Sequence, residues 1–273
     1  MNKPRTYLNV YLSILIFAFI FVYTQICFST TIKETFKKNI TFDQGGFLSL
    51  SNSNGSIEVV SWDENEVEII AYKEVKASDR STAERMMKKL EIDISESEDE
   101  IIVDTIFPRS SSSGGVFGWL FGGGGQSYSV EYEIKVPRQI DLNLNTTNGN
   151  VRVEKISGKV RLESTNGKIT AEEIRGIARC KTTNGSIRVE LDEISNNDAM
   201  SFKTTNGSIK LYLPDDFGAD AELKTTNGHI ESDFHFSEKM SKSKKRYNGR
   251  INDGGAELIC STTNGNISLY KSD

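Results

Sequence analysis

The phrase CKTTNGSIRV at residues 180–189 returns almost unchanged as FKTTNGSIKL at 202–211. Looser copies read LNLNTTNGNVRV at 142–153, LKTTNGHIES at 223–232 and CSTTNGNISL at 260–269. With the Asn as position zero, the copies centre on Asn54, Asn148, Asn166, Asn184, Asn206, Asn227 and Asn264. From Asn148 to Asn227 the spacings are 18, 18, 22 and 21 residues. So short and regular a period marks a repeat architecture.

Aligned columns define the local structure. Position −6 holds Leu48, Leu142, Val160, Ala178, Met200, Ala221 and Leu258. Position −4 holds Leu50, Leu144, Leu162, Cys180, Phe202, Leu223 and Cys260, and position +3 is Ile or Val throughout. Apolar residues at −6, −4, +3 and +5 predict two short strands with one face buried. The N-G lies between them, where a turn with positive φ suits Gly and is tolerated by Asn.

Two architectures fit. N-G between alternating strands is a strong hairpin signal and would build a meander. In a β-solenoid, each 18–22-residue copy is instead one coil, and equivalent residues stack about 4.8 Å apart. Identical side chains then touch, which gives the Thr and Asn columns a purpose. The expected fold is therefore all-β, a solenoid of stacked coils. The predicted turn and ladder residues are Asn148, Gly149, Asn166, Gly167, Asn184, Gly185, Asn206, Gly207, Asn227, Gly228, Asn264 and Gly265. A second joint recurs at Ile156-Ser157-Gly158 and Ile174-Arg175-Gly176, the other corner of the coil. Cys180 and Cys260 share the buried −4 column, three copies apart in sequence. At about 4.8 Å per coil that is roughly 14 Å, beyond disulfide reach, so both are predicted to be free and buried.

The N-terminus has the order of a secretory signal: Lys3 and Arg5, the apolar run LNVYLSILIFAFIFVY at 8–23, then small Ser29. Cleavage after Ser29 is one reading of residues 1–29, and an uncleaved membrane anchor is the other. Thr24-Gln25-Ile26 before Cys27 is a poor lipobox. Either way residues 30–273 are expected to be exported as a single domain. A net charge of −5 argues against a nucleic-acid partner.

Residues 76–140 interrupt the repeats, and the main array runs over 141–273. SDRSTAERMMKKLE (78–91) reads as a helix capped by Ser78 or Asp79, with Ala83, Met86, Met87 and Leu90 on one face. This helix-containing insertion is expected to cover one end of the stack, because unpaired sheet edges need covering. Within it, the Gly/Ser-rich stretch 109–127 holds Val116, Phe117, Trp119, Leu120 and Phe121. That cluster either folds back onto the body or forms an exposed tip for a membrane or a partner. The basic stretch 237–250 reads as a solvated insertion, with anionic glycans or lipid headgroups as the alternative.

Sites for chemistry are sparse. No Cys/His spacing resembles a metal site, and nothing resembles a nucleophile elbow or a phosphate loop. Position +6 stacks Glu154, Glu172 and Glu190, which could bind a cation or act as acid and base. The interleaved Arg152 and Arg188 look instead like compensating cross-strand pairs. No catalytic, metal or cofactor-binding residue is predicted.

The T-T-N-G-x-[IV]-x-[VL] copies resemble a bacterial β-strand-repeat family with an adhesin-like label, formally a domain of unknown function. SWDENEVEIIAYKE, the helix, KVPRQIDLNLNTTNGNV and GRINDGGAELICSTTNGNI follow that family's order over roughly residues 40–271. The resemblance implies an exported, solenoid-like β domain without transferable catalytic residues. The expected function is a cell-envelope or surface module, located in the periplasm, at the cell surface or outside the cell. Its partner would be a protein, glycan or lipid of the envelope, with membrane contact through the N-terminal segment or the aromatic loop. The alternatives are a membrane-anchored accessory or sensory protein and, less favoured, a glycan-active enzyme.

Overall fold

A computed structural model describes residues 29–107, 126–194, 198–243 and 245–272. The N-terminal part contains β1 (Thr30–Thr41), β2 (Phe47–Ser51), β3 (Ile57–Trp62), β4 (Glu66–Ala77), helix α1 (Arg80–Met87), β5 (Glu91–Glu96), β6 (Glu100–Ile106) and β7 (Ser127–Pro137). The repeats supply β8 (Asp141–Asn148), β9 (Val151–Glu154), β10 (Ser157–Asn166), β11 (Ile169–Asn184), β12 (Ile187–Ile194), β13 (Met200–Lys203) and β14 (Ile209–Leu213). β15 (Ala219–Asn227), β16 (Ile230–Ser232), β17 (Phe236–Ser243), β18 (Arg246–Ile251), β19 (Glu257–Asn264) and β20 (Ile267–Lys271) complete the chain. Among the described residues the protein is all-β apart from α1, and its strands join in one curled sheet of twenty strands.

The strands before and after each N-G do not pair with one another. Each pairs in parallel with the equivalent strand of another copy, which rules out the hairpin meander. The strands preceding N-G run in the order β2, β8, β10, the second half of β11, β13, β19, β15. Those following it run β3, β9, the first half of β11, β12, β14, β20, β16. Pairing is in register, so the −4 column reads Leu50, Leu144, Leu162, Cys180, Phe202, Cys260, Leu223 in space. All seven are buried.

That order corrects an expectation. The last copy lies between the fifth and the sixth. β15 and β16 stand one place further out, and β19–β20 fills the slot between them and β13–β14. The C-terminal copy thus finds hydrogen-bonding partners on both sides instead of forming a frayed edge. Cys180 and Cys260 are consequently two strand spacings apart, roughly 10 Å, with Phe202 between them. They remain free and buried, and burial raises both thiol pKa values far above the ordinary one.

The inserted segment does more than cover an end. β6 continues the first ladder parallel to β2, and β7 continues the second parallel to β3. β6 ends and β7 begins on the side where T-T-N-G lies in the other copies, and most of the Gly/Ser-rich stretch between them lies outside the described residues. Antiparallel strands then close this end: β5 beside β6, β4 beside β7 and β1 beside β4. β1 eluded the sequence because Glu34 and Lys38 alternate with Ile32, Phe36 and Ile40 on the same strand face and break the apolar pattern. α1 packs against β1 and β4, burying Ala83, Met86 and Met87, and the Asp79 carboxylate caps it by accepting from Thr82 N at 2.9 Å. At the opposite end, the stretch expected to be a solvated insertion forms the antiparallel pair β17–β18, with β18 along the outer side of β15.

The core at the N-terminal end contains an ionisable group, the phenol of Tyr132. Tyr132 projects inward from β7, is 1% exposed, and its hydroxyl lies 2.7 Å from the Thr105 hydroxyl of β6. Burial pushes its phenol up to about 12, against an ordinary value of about 10. The unfolded chain therefore gives up this proton first. Stability from this group is complete below about pH 10 and falls by roughly 2–3 kcal/mol as pH rises to about 12. Urea unfolding of the wild type and Tyr132→Phe at pH 8 and 11.5 should show the wild type losing more on going alkaline. Equal losses would refute the assignment.

Candidate functional site

The repeated corner was the first candidate, and its Asn amides and the hydroxyls two positions before them are used between copies. The Asn side chains form a continuous chain: Asn148 Nδ2 donates to Asn54 Oδ1 at 2.6 Å, and five further links of 2.7–2.8 Å run through Asn166, Asn184, Asn206, Asn264 and Asn227. One place inward, the hydroxyls of Thr146, Ser164, Thr182, Thr204, Thr262 and Thr225 each donate to the carbonyl of a Gly in the adjacent copy at 2.8–3.1 Å. In the first copy Asn52 replaces the hydroxyl residue and donates to Val130 O at 2.8 Å.

The glycines at this corner are required for a different reason from the one their sequence suggests. Among the N-G glycines only Gly55 has positive φ, at 122°. At Gly149, Gly167, Gly185, Gly207, Gly228 and Gly265, an added Cβ would lie 1.8–2.1 Å from the neighbouring copy's Gly carbonyl oxygen. The constraint is close approach between stacked backbones, not the sign of a dihedral. Positive φ belongs to the other corner, at Gly158 and Gly176, and at Lys155 and Glu173 before them.

The outward +4 and +6 columns form a second ladder. Arg152 bonds Glu154 and reaches Glu172 at 2.7 Å. Arg188 lies 3.4 Å from Glu172 and 3.8 Å from Glu190. Hydrogen bonding to Glu154 raises the Arg152 pKa above the ordinary guanidinium value. Arg188 also covers the Tyr212 ring at 4.1 Å, and Tyr212 stacks on Tyr270 at 5.2 Å. Towards the N-terminal end, Glu68 sits between Lys37 and Lys135, whose hydrogen bonds hold its carboxyl below the usual range. The stacked carboxylates Glu154, Glu172 and Glu190 are thus paired in place with Arg152 and Arg188.

The remaining candidates are dispersed. Val116, Phe117, Trp119, Leu120 and Phe121 lie outside the described residues. At the base of their loop Ile106 is 46% exposed, and Phe107 meets Tyr128 edge-to-face at 6.3 Å. On β18, Arg246 pairs with Glu222 at 3.1 Å and Arg250 with Asp220 at 3.4 Å. His229 is exposed beside Glu231. Among the described residues no group of three His, Cys, Asp or Glu side chains could hold a metal ion.

Two features went unnoticed in the sequence. A cleft of about 530 Å³ runs along the corner opposite T-T-N-G, lined by Gln139, Asp141, Ser157, Arg175 and Glu193. Its sequence signal was the recurrent Gly158 and Gly176, which keep that corner narrow. Its charges are also engaged: Arg175 lies 3.8 Å from Asp192 and 4.0 Å from Glu193, and Asp141 accepts from Lys159 N at 2.7 Å. The second feature is a meeting of chain exits beside α1. Thr30 pairs with Ala77, just before the helix, and Lys76 pairs with Ser127, where the aromatic loop returns. Ile106, where that loop departs, pairs with Glu91, just after the helix. Among the described residues no helix is long and apolar enough to cross a membrane, and residues 8–23 lie outside them.

Comparison with known proteins identifies a family for the chain. The profile of the Toastrack DUF4097 family, a domain of unknown function, matches residues 39–270. A candidate cell adhesion protein from Clostridium sporogenes is 13% identical, with 89% of this chain and 100% of that one covered at a TM-score of 0.48. A candidate adhesin from Bacteroides fragilis is 10% identical over 88% and 97% of the two chains, with a TM-score of 0.31. A candidate lipid binding protein from Parabacteroides distasonis is 14% identical over the same shares, with a TM-score of 0.32. No curated protein matches the chain.

Proposed function

The chain belongs to the Toastrack DUF4097 family, and from that premise we propose that it is an exported, non-catalytic module of the cell envelope. Its body is a β-solenoid over residues 30–273 that binds or scaffolds an envelope or surface component in the manner of an adhesin. One observation carries this reading. The Asn column, the hydroxyl column two places before it and the Arg152–Glu172–Arg188 series are consumed in ladders between copies. Side chains engaged in this way stiffen a rod and leave little for turnover. Function then falls to what interrupts the repeat.

A second reading has its own support. In it residues 1–29 remain attached as a membrane anchor, and its support is that the chain enters β1 beside the point where the aromatic loop returns. Cell fractionation with sequencing of the mature N-terminus separates the two. A mature chain starting near Thr30, outside the cytoplasm, supports the exported module. Intact Met1–Ser29 in the membrane fraction supports the anchored form. An intact chain in the soluble cytoplasmic fraction would overturn both.

A further inference from the structure

The helix α1 is short, and its two ends stand beside two exits of the chain. Eight helical residues span about 12 Å. At the N-terminal end Ala77 pairs with Thr30, the second described residue after the apolar stretch 8–23. At the C-terminal end Glu91 pairs with Ile106, from which the chain leaves towards Val116–Phe121. That loop returns at Ser127, opposite Lys76. The strand ends that lead to these two stretches therefore lie at one edge of the protein, beside α1.

The solvent side of α1 is cationic. With Ala83, Met86, Met87 and Leu90 turned to the core, Arg80, Arg85, Lys88 and Lys89 are left exposed. Arg80 pairs with Glu84 on the helix itself, at 2.8 Å. Arg85 donates to the Thr82 hydroxyl, and neither it nor the two lysines has a carboxylate partner among the described residues. The acids nearby are mostly engaged: Asp79 caps the helix, and Glu74 holds Lys33 and Lys76. Exposed Glu91 stands against them. This contrasts with the solenoid body, where Arg152 and Arg188 are closed into ion-pair ladders.

We infer that Arg85, Lys88 and Lys89 seat this edge of the protein on an anionic lipid bilayer. Cations placed at such an edge gain from a negative lipid surface. The exposed Ile106 and the ring of Phe107 lie on the same rim. The seat orients the solenoid, directing its far end, with β17 and β18, away from the bilayer. The inference rests on the anchored reading, in which residues 1–29 stay attached, and it adds the surface and the headgroup chemistry.

The test uses the full chain with vesicles of phosphatidylcholine alone or with added phosphatidylglycerol. Flotation first reports whether the protein associates at all, and its absence would refute the anchored reading along with the seat, leaving the exported module to the fractionation test. Lysine acetylation on the vesicles, read by mass spectrometry, then addresses the seat itself. Modification of Lys88 and Lys89 should slow about tenfold on phosphatidylglycerol vesicles relative to Lys203, with the effect lost near 0.5 M salt. Floating protein in which Lys88 and Lys89 react as fast as Lys203 would overturn the seat. Equal protection on both vesicle types would overturn the role of headgroup charge.

Discussion

Gly185→Ala should destabilise the centre of the stack by at least about 3 kcal/mol. The new Cβ would lie 2.0 Å from Gly167 O and 2.5 Å from its carbonyl carbon. Both are backbone atoms, so no side chain can rotate away. Moving Gly167 would break the bond it accepts from Thr182 at 3.0 Å and the 2.9 Å bond between Ile187 N and Ser208 O would be pulled with the displaced corner. The strain is unrelated to φ. Gly45→Ala supplies the contrast: its φ is +92° but nothing lies within 4 Å of an added Cβ. That substitution should cost only about 1–2 kcal/mol, for the left-handed backbone. Thermal and urea unfolding of the two variants should rank them clearly. If Gly45→Ala were the worse, close approach would not be the constraint.

Phe202→Ala should cost about 3–5 kcal/mol. Phe202 is fully buried between Cys180 and Cys260, in a column where most copies carry Leu. Its ring supplies volume that two small neighbours do not. The copies above and below are held in register by backbone hydrogen bonds, so the space cannot collapse by sliding. Phe202→Leu restores the residue typical of the column and should recover most of the loss, leaving a deficit of less than about 1.5 kcal/mol. Urea unfolding of both variants decides the matter, and equal destabilisation would show that the cavity is not the cause.

Much of this architecture was legible in the columns. Alternation at −6, −4, +3 and +5 located the strands, and the match of Thr with Thr and Asn with Asn pointed to parallel stacking. Asp79 and the apolar face of α1 were legible for the same reason: caps and amphipathic faces are local patterns. The hairpin β17–β18 was not, because Lys and Ser on an outer strand resemble a solvated loop. The N-G glycines were assigned to a turn with positive φ, whereas their neighbours lie 18 or more residues away and appear only when the copies are superposed. Of the candidate site, the sequence showed the stacked glutamates and their arginines. The cationic edge at α1 depends on pairings between residues 30, 77, 91, 106 and 127, which no local pattern contains.

The sequence by itself determined the repeat unit, the residues facing inward and the register between neighbouring copies, because a one-residue slip would turn every apolar side chain outward. The tertiary structure decided the order of the copies. Ala221 and Leu223 present the same kind of buried surface as Leu258 and Cys260, and Asn227 offers the same amide as Asn264. With equivalent interfaces, sixth and seventh copies are interchangeable to their neighbours as far as local contacts go. Chain connection breaks the tie: β17 and β18 occupy the outer side of β15, and the final copy takes the place left between β15 and β13.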